Sequence, residues 1–149
     1  MSVIVRSIGR FLVPLVLAFG AYVIMHGHLT PGGGFQGGAV AASAVALVVV
    51  AFGAERLRGR DKLLSILEDV GAVAFISLGF LGIGVTFFRN VLAGTGGLFG
   101  VPVPPGPNPG VLETGGTLPL MNWAVGLKVF AGLGAVVLLL ALFGGEHDR

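Results

Sequence analysis

The chain has no cysteine. That excludes disulfides, thiolate metal sites and cysteine-ligated iron–sulfur clusters, so any redox chemistry coupled to this protein is carried by another polypeptide. Charge is scarce too. Only 11% of residues are Asp, Glu, Lys or Arg, against roughly 25% in a soluble domain. With 54% hydrophobic residues and a mean hydropathy of +0.96, the inventory cannot cover a water-exposed surface. No nucleophile and base, and no acid/base couple, stand together in the sequence. The chain is therefore expected not to be an enzyme on its own, and no cofactor is expected within it.

What is abundant is long apolar runs. A helix needs about 20 apolar residues to cross a bilayer, and four stretches qualify, at about 8–25, 36–54, 64–88 and 120–143. They predict an all-α integral membrane protein, a single domain over 1–149 with four transmembrane helices. The runs are too long, and too uniformly apolar, for outer-membrane barrel strands. Arg6 and Arg10 before the first run mimic a signal peptide. No small-residue cleavage site follows and the run exceeds the usual h-region of about 7 to 15 residues, so it is expected to be retained.

The formal charge of +2 suggests a nucleic-acid partner only until its distribution is considered. Arg6, Arg10, Arg56, Arg58, Arg60 and Lys62 precede the first run or separate the second from the third. By the positive-inside rule these segments are cytoplasmic. Four spans then place both termini, with Arg149, in the cytoplasm of a cell-membrane protein, and 25–35 and 89–119 outside. The linker 55–62 alternates in sign and reads as a solvated inner loop. The segment VPVPPGPNPG should be extended and polyproline-like, and its apolar character predicts that it lies over neighbouring protein.

Glycine, at 27 residues, is the second abundance. In MHGHLTPGGGFQGG, Gly32, Gly34 and Gly37 match the G-x-G-x-x-G pattern of dinucleotide sites. That pattern needs a preceding strand, and here it follows a membrane run, with no Walker lysine. Nucleotide binding is rejected, and the stretch predicts a tight re-entry turn whose unpaired N–H groups face protein or water. Thr30 and Pro31 suit an N-cap and first helical position, but the glycines delay a stable helix to about Phe35. Gly38, Ala42 and Ala46 then form a small-residue stripe for close helix packing, expected to serve subunit association. Gly71, Gly79, Gly82 and Gly84 mark the third span as packed, and Pro14 predicts a kink in the first.

Few polar residues enter the spans. Lys128 stands about eight residues into the fourth, among Ala124, Ala131, Gly132 and Ala135, on a face suited to a helix partner. A cation at that depth is costly and is either a structural lysine or part of an ion or proton path. Glu68 and Asp69 enter the third span from the cytoplasmic side, so a direct pair with Lys128 within the chain is not expected and each should find its partner elsewhere. His26 and His28 flank Gly27 at the outer end of the first span. At i, i+2 they share no helix face, which argues against a metal site.

The stretch GHLTPGGGFQGG followed by an Ala/Val span, together with GLKVFAGLG in the last span, resembles the B-type subunit of multisubunit Na+/H+ antiporters, the MnhB or MrpB family, and the matching subunit of membrane-bound hydrogenase-type complexes. The resemblance covers essentially the whole chain, and its turn motif is Pro31, Gly32, Gly33, Gly34, Phe35, Gln36, Gly37 and Gly38. It implies a small integral subunit beside larger antiporter-like subunits, in a complex related to respiratory complex I, within the module that moves Na+ or H+. Gln36 leans toward the hydrogenase-like branch, which would add a redox arm to the partners. Lys128, Glu68, Asp69, His26 and His28 are the candidates for an ion path. The alternatives are a non-conducting subunit that positions its neighbours and an independent small transporter.

Overall fold

The computed structural model describes residues 2–103 and 111–144. Four helices, each long and apolar enough to cross a membrane, make up most of it: α1 Val3–Met25, α2 Gly34–Phe52, α3 Asp61–Phe80 and α4 Leu118–Gly144. The protein is an all-α, multi-pass membrane protein. Ser2 caps α1 by accepting the Val5 N–H at 3.3 Å, and α1 runs through Pro14 without interruption. A 3₁₀ turn, Ala54–Leu57, links α2 to α3 after Gly53, whose φ of +88° ends α2 in a conformation that side chains disfavour. Pro119 lies in the first turn of α4, where its missing N–H costs nothing.

The helices stand in a row rather than a closed bundle. α2 packs on α1 and on α4, α1 touches α4 only lightly, through Ile24 against Gly126, and α3 packs chiefly on α4, giving the spatial order α1, α2, α4, α3. Small residues make this possible, because α2 has a small-residue face on each side. On one side Gly37 and Ala41 meet Gly20 of α1, where a β-carbon on Gly20 would come within 2.8 Å of the Ala41 N. On the other, a β-carbon on Gly38 would lie 2.7 Å from the Gly126 carbonyl of α4. Ala42 is buried and Ala46 half-buried on the same side as Gly38. The small stripe thus faces this chain's own α4, and leucine at Ala42 acts first on the internal fold and not on subunit association. A row leaves two broad faces uncovered, and most large apolar side chains of α1 are exposed.

Several boundaries differ from the sequence expectation: α1 starts at Val3 instead of about 8, and α3 at Asp61 instead of about 64. α2 begins at Gly34, close to the expected Phe35, but the Thr30 hydroxyl does not cap it and donates to the His26 carbonyl at 3.2 Å. α3 stops at Phe80 instead of continuing to residue 88. Beyond it the chain folds back: the Phe88 N–H donates to the Gly79 carbonyl at 2.9 Å, and Phe87 and Phe88 pack beside Gly79. The apolar residues 81–88 extended the run in sequence, but the glycines release the helix where the phenylalanines can fold over it.

The connection from α3 to α4 is pinned to itself. Asn90 Oδ1 accepts from the Thr117 N–H at 2.8 Å and its hydroxyl at 3.2 Å, while Nδ2 donates to the Gly115 carbonyl at 2.9 Å. Gly116 N–H donates to the Phe99 carbonyl at 2.7 Å, and Val101 N–H to the Glu113 carbonyl at 3.1 Å. Phe99 packs edge-on against Trp123 of α4, with ring centroids 5.5 Å apart. Of VPVPPGPNPG, residues 104–110 lie outside the described residues, so the predicted extended course is described only as far as residue 103. The loop is expected to face away from the cytoplasm. With no native cysteine to interfere, Leu98→Cys should react with an impermeant maleimide added outside intact cells, and reaction only in inverted vesicles would reverse the orientation.

Candidate functional site

Lys128 and Glu68 form an ion pair within the chain, with Lys128 Nζ donating to Glu68 Oε1 at 2.9 Å. The two residues do enter from opposite ends of antiparallel helices, but the expectation that they therefore find separate partners is corrected. α3 starts at Asp61, so Glu68 lies about 10 Å along its axis, and Lys128 lies about 15 Å along α4 at 1.5 Å per residue. Both helices begin before their apolar runs do, which brings both residues deeper, and the long side chains close the remaining gap.

Glycine shapes the site. Gly71, one turn beyond Glu68, lies against the backbone of α4, where an added β-carbon would be 2.8 Å from the Lys128 N and 2.9 Å from its Cβ. Gly132, one turn beyond Lys128, lies under the Glu68 carboxylate, whose oxygens would be 3.3 and 3.4 Å from a β-carbon there. Each charged side chain thus crosses over a glycine of the facing helix. The pairing signal in the sequence was Glu-x-x-Gly on one span and Lys-x-x-x-Gly on the other. A charge near mid-membrane costs about 2.5 to 3.5 kcal/mol on an insertion scale, so pairing is needed. Yet the side chains remain 46% and 38% exposed in the isolated chain, and that open side must meet protein or water.

Asp69 is not part of the pair. It is exposed, turned away from α4, and makes no ion pair among the described residues. His26 ends α1: its Nδ1 lies 3.0 Å from the Tyr22 carbonyl and must carry the proton to bond there, and its ring stacks on Tyr22 at 4.0 Å. His28 lies beneath the α3–α4 loop, its ring close to Gly115, with both nitrogens buried and unpartnered. The structure does not bring either histidine to the Lys128–Glu68 pair. Among the described residues, no three His, Asp or Glu side chains are grouped to hold a metal ion.

Burial, the largest cause, holds the His28 pKa below its usual 6.5; the Leu112 backbone opposes it in part, and the neighbouring His26 adds a smaller push downward. Protonation therefore taxes the folded state. The stability of the turn and overlying loop should be fully present above about pH 6.5, the unfolded value, and be lost as pH falls below it through the folded pKa. Wild-type melting temperatures should drop between pH 7.5 and 5.5 more than those of His28→Phe. Equal drops would remove His28 as the cause.

The turn motif is a packing surface for α4. Asn122, which the sequence reading passed over, sits between its two limbs: a β-carbon on Gly27 would come within 2.8 Å of Asn122 Nδ2, and one on Gly33 within 3.5 Å of Oδ1. Gly34 lies against the Asn122 backbone and Val125. Pro31, Gly32 and Phe35 stand on the rim, and Phe35 is exposed. No signal in the sequence singled out Asn122, in the second turn of α4, or Asn90, in the α3–α4 connection, since a lone asparagine near a span end is common without such a role.

Comparison with known proteins bears on what this arrangement serves. Residues 4–142 match the family model described as a domain related to the MnhB subunit of Na+/H+ antiporter. The chain belongs to this family. An uncharacterized protein of Methanocaldococcus jannaschii is 41% identical over 130 residues, covering 85% of this chain and 47% of that protein. A Staphylococcus aureus protein named "Putative antiporter subunit mnhB2" is 42% identical over 56 residues, covering 38% of this chain and 40% of its own length. The chain thus spans about half the length or less of these relatives. Membership gives the chain a domain related to the MnhB subunit of Na+/H+ antiporter.

Proposed function

We propose that this chain is a cation-translocation subunit of an Mrp-type Na+/H+ antiporter module, and that the Lys128–Glu68 pair lies on the route of the transported Na+ or H+. The module sits beside larger antiporter-like subunits, in a complex related to respiratory complex I such as a membrane-bound hydrogenase, whose redox arm supplies the driving force. The observation that carries this is an ion pair at membrane depth with one side open, on helices arranged in a row. A row encloses no path of its own. An ion passing the pair must do so between this chain and a neighbour, which favours a subunit over an independent transporter.

A second reading has its own support. Because Gly71 and Gly132 fit the pair so closely, the pair could serve as a clasp between α3 and α4 in a subunit that only positions its neighbours. Glu68→Gln separates the two. It keeps the shape and a hydrogen-bond acceptor for Lys128 while removing the charge, so a conducting role predicts an assembled complex with Na+-dependent proton exchange in inverted vesicles reduced about tenfold or more. Normal exchange from an assembled Glu68→Gln complex would favour the clasp.

A further inference from the structure

α3 is the end helix of the row, and the side it turns away from α4 has a definite pattern. Ile66, Asp69, Val70, Val73, Ile76, Ser77 and Phe80 recur at the three- and four-residue intervals that put them on one face, and all are exposed. The Ser77 hydroxyl is spent on the Val73 carbonyl at 2.7 Å. Asp69 is the one charge on the stripe above Lys62, and it lies about 12 Å along α3 from Asp61, too deep for a short side chain to reach the interface. Its helical neighbours one turn away are Ser65, Ile66, Ala72 and Val73, none of them cationic. Lys62 is two turns off, about 10 Å along the axis, and Lys128 is engaged with Glu68.

The charge within the span is therefore unbalanced. Lys128 offsets Glu68, and no cation among the described residues offsets Asp69, whose carboxyl group faces outward at membrane depth. Apolar residues alone on this face would suit lipid, but a carboxylate among them does not. We infer that this face of α3 is a docking surface for a transmembrane helix of a neighbouring subunit that places a lysine or arginine opposite Asp69. Ile66, Val73 and Ile76 supply the apolar contact on either side of that ion pair, and the pair fixes the register of the two helices, as a single polar group does in an otherwise apolar helix seam. The inference rests on the proposed membership of a multisubunit complex, but it concerns the face opposite the Lys128–Glu68 pair.

The test uses the whole complex as it occurs in the membranes of the source cell, with this chain replaced by the tagged variants. Asp69→Lys should cut recovery of neighbouring subunits on an affinity-tagged copy of this chain about tenfold or more, because like charges then face each other. The chain itself should still accumulate in the membrane. Val73→Cys carrying benzophenone maleimide should cross-link to a transmembrane peptide with a lysine or arginine within one turn of the attachment point. Changing that residue to aspartate should restore assembly of the Asp69→Lys variant. Cross-linking to lipid alone, or to a helix without a cation, would overturn the inference, as would normal assembly of Asp69→Lys. Asp69→Asn decides the remaining case: full assembly with lost exchange would show that the cation at Asp69 is the transported ion, which overturns the docking role while leaving the ion-path proposal standing. Loss of exchange in Glu68→Gln and loss of assembly in Asp69→Lys are separate readouts, so either proposal can fail alone.

Discussion

Under the proposed ion-path role, Lys128→Met is expected to abolish Na+/H+ exchange in a complex that still assembles. Methionine preserves most of the side-chain volume over Gly71 but leaves the Glu68 carboxylate without its partner. Breaking a fully buried pair on one side costs about 3 to 5 kcal/mol. This pair is partly open in the isolated chain, so the destabilisation should fall below that range, and some loss of yield is expected. The double variant Lys128→Met with Glu68→Gln removes both charges and should recover the yield without recovering exchange. Lys128→Arg keeps the charge, but arginine holds its proton throughout the physiological range. If Lys128 passes protons, the arginine variant should assemble and remain inactive. If Lys128 is a fixed charge, arginine should support exchange. The measurement is dye-reported proton movement in inverted vesicles, normalised to assembled complex. Full exchange by Lys128→Met would remove Lys128 from the mechanism.

Gly71→Ala is expected to do more damage than its single added methyl suggests. The new β-carbon would lie 2.8 Å from both the Ala124 carbonyl and the Lys128 N, and 2.9 Å from the Lys128 Cβ. Two of these atoms are backbone, so no side-chain rotation relieves the contact and α3 must move away from α4. Overpacking of this kind costs roughly 1 to 3 kcal/mol, and the same displacement lengthens the Lys128–Glu68 bond. Gly84→Ala is the control, since open space surrounds that position and a surface change there should stay within about 0.5 kcal/mol. Detergent melting temperature and exchange should both fall in Gly71→Ala and stay near wild type in Gly84→Ala. Unchanged melting in Gly71→Ala would mean that the two helices are less tightly joined than the structure shows.

Much of this protein follows from its composition. With so few charges and four long apolar runs, the backbone has no alternative to membrane-spanning helices, because lipid cannot satisfy an unpaired N–H or C=O. The rejection of a nucleotide site followed from context, and the turn motif pointed to the family that residues 4–142 match. The small-residue stripe was visible, but its partner was not. Periodicity gives the face of a helix and is silent on which helix meets it, so α4 of the same chain and a neighbouring subunit looked alike. The end of α3 is hidden in the sequence because residues 81–88 are as apolar as the helix before them, and only the return of Phe87 and Phe88 onto Gly79 shows where it stops.

The tertiary structure decided the pairing of Lys128 with Glu68. Sequence assigns depth from the ends of apolar runs, and an error of three residues at the start of α3 and two at the start of α4 was enough to hold the two residues apart. The antiparallel crossing of α3 and α4, with Gly71 and Gly132 yielding space to the opposite side chain, brings them to 2.9 Å. It also turned Asp69, the very next residue, to the other side of the helix. Successive residues on a helix are about 100° apart, so adjacent carboxylates that look equivalent in the sequence face different neighbours, one within this chain and one outside it.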